Sequence, residues 1–261
     1  MTYCLGIKVK SGIVGISDTR ITSGHETTRA KKVFTINKDR HSFFIMTSGL
    51  RSVRDKALTY FKETIEHNDE SFNKLYKAVN AFAAQVKTAA AEDKESLREA
   101  GLSFNLYALV GGQLQDDEEH KIYLLYPEGN WVEISEGSPF MIIGNNGYGK
   151  PILDRVLKYD SSMKYALKAG FLSFNATRVS ANDVDYPIDV IYYRKDSFHI
   201  TEKRYKKEEL QKMSKMWQHT LNEAVNNLPD DWLEKLFMEE GDDKGRDSAI
   251  EVASDQPGYE V

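Results

Sequence analysis

The hydrophobic period of this chain switches repeatedly between two values, and the order of those switches constrains the fold more than any single residue does. Residues 3–9 and 13–17 are β-rich and separated by Lys10-Ser11-Gly12, a short glycine-containing turn that predicts a hairpin. Residues 33–37 and 42–47 repeat the pattern around the polar turn Lys38-Asp39-Arg40. The period then becomes helical. Val53, Ala57, Tyr60, Phe61 and Ile65 share one helix face, and Phe72, Leu75, Ala78, Val79, Phe82 and Val86 share another. Strands return at 102–111, 121–126, 131–134 and 140–143, helices at 151–159 and 163–174, and strands at 188–194 and 198–201. A last helix starts near Lys206, with Leu210, Met213, Trp217, Leu221 and Val225 at helical spacing. It breaks at Leu228-Pro229, and 230–237 adds a short helical turn. Consecutive strands followed by helix pairs predict an α+β architecture and not a parallel βαβ sheet. Two sheets stacked face to face with a helix pair outside each, a four-layer αββα sandwich, would bury this much apolar surface.

Charge divides the chain into two parts. Of its 261 residues, 35 are basic and 40 acidic, a net charge of −5. Residues 239–261 hold eight acids and two bases, so the body, 1–238, is close to neutral. The expected organisation is one domain over 1–238 and a disordered acidic tail over 239–261. A near-neutral body lacks the basic footprint of a nucleic-acid binder. There is no apolar run long enough to span a membrane and no secretory leader pattern, so a cytoplasmic protein is expected. The single cysteine, Cys4, rules out an internal disulfide and reads as a small buried side chain, and the six histidines show no metal-ligand spacing. No metal and no cofactor are expected. The lysines at 203–207 read as a solvated helix entry.

One motif points elsewhere. Gly144-Asn145-Asn146-Gly147-Tyr148-Gly149-Lys150 fits the phosphate-binding loop pattern between a strand and a helix, but Pro151 stands where a magnesium-binding hydroxyl is required. Proline is also favoured in the first helical turn, so the segment reads as a strand-to-helix turn.

The chemistry is concentrated at the start of the chain. Thr2 follows Met1, and methionine removal would leave a hydroxyl nucleophile and a free α-amine on one residue. An α-amine titrates near 7.7–8.0, so it can serve as the base for that hydroxyl. Asp18-Thr19-Arg20-Ile21-Thr22-Ser23-Gly24 ends the second strand, Lys31-Lys32 enters the third, and Thr47-Ser48-Gly49 ends the fourth. With these residues the chain resembles the proteasome β-subunit family of N-terminal nucleophile hydrolases. In that family a mature N-terminal threonine opens a strand, an Asp-x-Arg-x-Thr-x-Gly segment lies beside it, and a lysine enters the next strand. Within the family it is most similar to the bacterial ancestral β-subunit type, Anbu, whose members begin Met-Thr-Tyr-Cys and carry Tyr-Gly-Lys-Pro-Ile-Leu-Asp, present here at 148–154.

The resemblance implies a threonine-type amidohydrolase or peptidase. Thr2 would be the nucleophile and Lys32 the neighbouring cation that lowers the pKa of its amine and hydroxyl. Asp18 would orient Lys32, and the Gly49 N–H would meet the oxyanion. Ile21 and Thr22 would offer backbone groups to an extended peptide, while Arg20 reads as a structural contact. The interval from Thr2 to Lys32 is about two residues shorter than the family's, which implies a loop deletion before Lys31. Asn145 stands where a serine is expected, and in the loop 180–187 Asp183 is the candidate auxiliary carboxylate; both departures bear on turnover rate. The resemblance also implies a homo-oligomer, as a closed ring or an open helical array. The wider family often works with an ATPase, for which nothing in this sequence speaks. A scaffolding subunit with little turnover, and amide transfer from the same nucleophile, are the alternative functions.

Overall fold

A computed structural model of the chain describes residues 2–23, 26–68 and 72–233. It divides into two compact units, Met1–Ser214 and Lys215–Val261. The predicted acidic tail, 239–261, lies outside the described residues, as does most of the short turn expected over 230–237.

The first unit is built on two five-stranded antiparallel sheets. One has the order β10-β1-β2-β11-β12, from Phe140–Gly144, Tyr3–Val9, Gly12–Asp18, Ile188–Arg194 and Ile200–Tyr205. The other has the order β5-β6-β7-β8-β9, from Val33–Lys38, His41–Gly49, Leu106–Gln113, Lys121–Leu125 and Trp131–Glu133. Between β2 and β5 a small hairpin, β3 (Arg20–Ser23) and β4 (Glu26–Arg29), stands apart from both sheets. Helices α1 (Arg51–Asn68) and α2 (Leu75–Glu99) follow β6, α3 (Lys150–Val156) and α4 (Met163–Ser180) follow β10, and α5 (Lys207–Asn226) follows β12.

Strand alternation sorts the side chains into three apolar layers. On β1, Tyr3, Leu5, Ile7 and Val9 pack outward with Ala166, Phe171 and Phe174 of α4, whereas Cys4 faces the other sheet. On β6, Phe43 and Ile45 join Phe61 of α1 and Phe82 of α2, whereas Phe44 and Met46 face inward. The inner layer joins the sheets through Ile13, Phe44, Met46, Leu109, Ile122 and Ile191. This is the expected four-layer αββα arrangement. Because β1 and β2 are covered on both faces, every residue of theirs is buried, the polar Lys8, Ser17 and Asp18 included. Close sheet contact also explains two strand glycines. A Cβ on Gly15 would lie 2.4 Å from the Met46 methyl carbon, and one on Gly111 2.5 Å from Phe44 Cζ.

Several boundaries differ from the sequence expectation for identifiable reasons. The strand expected from 102 begins at Leu106, because α2 continues to Glu99 through a half-exposed stretch of alanine and charge. α4 runs six residues past Phe174, to Ser180, whereas α3 ends at Val156, three residues early. The last strand starts at Ile200 and continues to Tyr205 as a polar edge, which carries little apolar signal. α2 has no cap from its own preceding residue; Asp117 accepts the Leu75 N–H at 2.9 Å instead. Ser162 caps α4 by accepting the Tyr165 N–H. Among the described residues no helix is long and apolar enough to cross a membrane.

Candidate active site

The start of β1 is held by backbone contacts on both sides of Thr2. Its carbonyl accepts the Asn145 N–H at 2.7 Å, and the following Tyr3 N–H donates to Asp18 Oδ1 at 2.9 Å. Gly144, with φ of +91°, makes the first contact possible, since a Cβ there would sit 1.9 Å from the Thr2 carbonyl oxygen. The supposed phosphate loop therefore begins as a clamp on the strand start. Its last glycine, Gly149, is packed against α4, where a Cβ would meet Ser173 Oγ at 2.3 Å.

Asp18 ends β2 directly beside this strand start and has no exposed surface. Its Oδ1 also accepts from Lys32 Nζ at 2.7 Å, and its Oδ2 accepts the Arg20 N–H at 3.0 Å. Burial pushes the Asp18 carboxyl above the usual carboxylate range, opposed by the Lys32 ammonium and by the two backbone donors. Lys32, 4% exposed, precedes the first strand of the opposite sheet, and its carbonyl accepts the Thr47 N–H of β6. The ion pair thus reaches from one sheet to the other.

Gly49 ends β6 with φ of +134°, and a Cβ there would lie 2.0 Å from the Asn105 carbonyl oxygen. Glycine is required at this position by backbone conformation and by contact. Asn105 then fastens the next residue, its carbonyl and its Oδ1 both accepting the Leu50 N–H. Cys4 is buried one residue along from Tyr3, with Ser17 Oγ at 3.3 Å, and burial pushes its thiol up to about 12.

These elements surround a cleft of about 380 Å³ lined by Thr2, Ile21, Thr22, Lys32, Thr47, Ser48, Gly49, Leu50, Arg51, Arg54 and Asn105. Thr2, Lys32, Gly49, Ile21 and Thr22 therefore meet at one surface, with Asp18 immediately behind Lys32. The other two sequence candidates do not line it. Asn145 reaches Thr2 through its backbone N–H. Asp183 lies in the loop after α4, and from that loop Asp185 contacts the segment following Asp18, its Oδ2 3.5 Å from Arg20 Nη1. Thr19 Oγ1 donates to the Pro187 carbonyl in the same region.

Sequence reasoning noted Thr47 and Ser48 only as a strand end, without a role, and passed over Leu50, Arg51, Arg54 and Asn105. Arg51 and Arg54 follow Gly49 at helical spacing in the first turn of α1, a signal hidden by the apolar face of the same helix. Asn105 comes from a segment 55 residues away, brought in by the pairing of Gly49 with Leu106. Among the described residues no group of three or more His, Cys, Asp or Glu side chains is placed to hold a metal ion.

Comparisons with known proteins bear on the family and the fold. A family model described as "Proteasome subunit" matches residues 2–191. No curated protein sequence matches significantly. Among solved structures, an Anbu (Gly-1) mutant from Hyphomicrobium sp. strain MC1 superposes with a TM-score of 0.81 at 28% identity, covering 88% of this chain and 98% of that one. A helical assembly of the Anbu complex from Pseudomonas aeruginosa superposes with a TM-score of 0.82 at 25% identity, covering 87% and 97%. Anbu from Yersinia bercovieri shares the fold at 24% identity, with a TM-score of 0.81 over 87% and 97%. With its two stacked sheets, its outer helix pairs and its family-model match over most of the body, this chain belongs to the proteasome subunit family.

Proposed function

We propose that the protein is a threonine-type N-terminal nucleophile amidohydrolase acting on a peptide or another amide in the cytoplasm. The observation that carries this reading is the convergence of Thr2, Lys32 and Gly49 on one cleft, with the buried Asp18–Lys32 pair behind it. After removal of Met1, the neutral α-amine of Thr2 takes the hydroxyl proton as Oγ attacks the substrate carbonyl. The charged Lys32, held by Asp18, favours the deprotonated amine and the developing alkoxide. The oxyanion is met by the Gly49 N–H, and the α-ammonium returns its proton to the leaving amine. An ester on Thr2 remains. Water, activated by the same amine, then hydrolyses it and frees the acid. Ile21 and Thr22 on β3 provide main-chain groups along which an extended substrate can lie. Asp183 is the candidate auxiliary carboxylate, in the loop whose Asp185 meets Arg20.

The likeness to a helical Anbu assembly supports a homo-oligomer, an open helical array or a closed ring, and no cofactor enters the scheme. A second reading, a scaffolding subunit with little turnover, is favoured by Asn145, whose amide can donate a hydrogen bond but cannot relay a proton as a serine hydroxyl does. Amide transfer would use the same ester with an amine in place of water.

Intact mass of the purified protein, before and after a threonine-directed electrophile, tests the proposal. The expected result is loss of Met1 and one adduct, absent in Thr2→Ala. Retention of Met1 in the native host, or an adduct that survives in Thr2→Ala, overturns it in favour of the scaffold.

A further inference from the structure

The wall of the cleft beside Thr2 has a charge pattern that the proposed chemistry does not require. Its ionisable lining residues are Lys32, Arg51 and Arg54, with no carboxylate among them. Two carboxylates stand behind these three cations. Asp18 takes Lys32. Asp55 is shared by the two arginines, its Oδ1 accepting from Arg54 Nε at 2.8 Å and Nη2 at 2.7 Å and its Oδ2 from Arg51 Nε at 3.3 Å. One positive charge is left in surplus on the wall. Arg54 is only 8% exposed, so its guanidinium is held in place rather than swept through solvent, and its Nη1 is fixed further by the Lys31 carbonyl at 3.5 Å. Arg51 is exposed and meets Asp55 through its Nε alone, at 3.3 Å.

A second observation lies between these groups and the nucleophile strand. Thr47, 2% exposed and part of the same lining, has a hydroxyl without a hydrogen-bond partner among the described residues. A buried hydroxyl with no partner costs stability, and its pairing by a bound acceptor recovers that cost. An acceptor that also neutralises a surplus guanidinium charge is a carboxylate, whose two oxygens match the planar arginine fork. The first turn of α1 opens on the same space, and its positive end adds to the attraction.

We propose that this cleft is a specificity pocket for a carboxylate side chain, so that the amide hydrolysed at Thr2 follows a glutamyl or aspartyl residue or a comparable acidic acyl group. In this arrangement Arg51 and Arg54 select the charge, and Thr47 binds one carboxylate oxygen. The assignment rests on the nucleophile reading only for the position of the bond that is cut; recognition of the acid follows from the pocket alone.

Two measurements on the full-length protein separate the two. Fluorescence anisotropy with dye-labelled tripeptide amides that differ only in the last side chain (Glu, Gln, Leu or Lys) reads the pocket. Glu is expected to bind about tenfold tighter than Gln at low salt, as a charge-assisted contact implies. The preference should shrink as salt is raised and fall to threefold or less, roughly, in Arg51→Gln, an exposed position that leaves the fold intact. Thr47→Val should lower it while preserving side-chain shape. Equal binding of Glu and Gln, or tighter binding of Lys, overturns the pocket. The same four peptides carried on an epoxyketone read the nucleophile by adduct mass. If none marks Thr2 while the Glu preference in binding persists, the pocket stands and the nucleophile reading falls. If all four mark Thr2 at one rate, the nucleophile stands and the pocket falls.

Discussion

His120 shows how a single side chain outside the candidate site can shape the pH response of the fold. Its ring has no exposed surface, its Nε2–H donates to the Val9 carbonyl at 2.8 Å, and its Nδ1 has no partner among the described residues. Burial lowers its pKa below the ordinary value, with Lys8 and Lys195 acting in the same direction and the Val9 carbonyl and Glu119 opposing. Above about pH 6.5 the imidazole is neutral in both folded and unfolded chains, so it adds no pH dependence. Below that pH the unfolded ring takes up a proton that the folded one refuses, and stability falls as pH drops toward the folded pKa. Its share of the slope is at most about 1.4 kcal/mol per pH unit. His120→Gln keeps a donor for Val9 and cannot titrate. Urea unfolding from pH 7.5 to 5 should show a shallower loss for the variant than for the parent, and parallel curves would refute this account. At this scale the sequence was legible where residues carry a family pattern and illegible where they are joined only by packing. Thr2, Asp18, Lys32 and Gly49 could be named in advance. Arg54 and Asn105 could not, since their place in the cleft depends on how α1 and β7 dock.

Among elements, the main link is the one between sheets at the candidate site. Asp18 ends β2 of one sheet and Lys32 enters β5 of the other, both inaccessible to solvent or nearly so. Lys32→Met fills a similar volume but leaves a carboxylate buried opposite an apolar side chain. It should therefore cost about 3–5 kcal/mol in urea unfolding. Adding Asp18→Asn should return part of that loss, because the stranded charge is then gone while an oxygen remains for a backbone donor. Additive single-site effects would show that the pair does not couple the sheets. Period alone located the strands that face apolar layers, β1, β2, β6 and β11 among them. It missed β3 and β4 because that hairpin belongs to neither sheet, and all four residues of β4 are exposed. It also ended the helical signal of α2 at Val86, where the buried stripe thins to Ala89 before a charged half-exposed segment.

For the molecule as a whole, protection should be uneven. β1, β2, β6 and β7 sit in the middle of the sandwich, while α5 has no buried residue in its 20-residue length. Hydrogen exchange of the dilute protein should leave the amides of the central strands slowest and those of α5 among the first to exchange. Increased α5 protection as concentration is raised would accompany the proposed self-assembly, and slow exchange of α5 at every dilution would contradict the description of that helix. The layer order could be anticipated because strand blocks and helix pairs alternate along the chain. The division after Ser214 could not, since α5 keeps one helical period across it.

The hairpin between Asp18 and Lys32 has an evolutionary consequence. Its base is closed by the Ala30 N–H on the Thr19 carbonyl at 2.9 Å, and its arms pair in simple register from Arg20 with Arg29 to Ser23 with Glu26. Deleting one residue from each arm preserves that register and leaves the closed base, and hence the ion pair, where it was. The Thr2-to-Lys32 interval, which the sequence resemblance implies is about two residues shorter than the family's, would be a change of this size. Since Ile21 and Thr22 ride on the hairpin and line the cleft, descendants of one ancestor can lengthen or trim that rim in steps of two while inheriting the same buried ion pair, which under the proposed function would be a modular division between what is cut and what does the cutting.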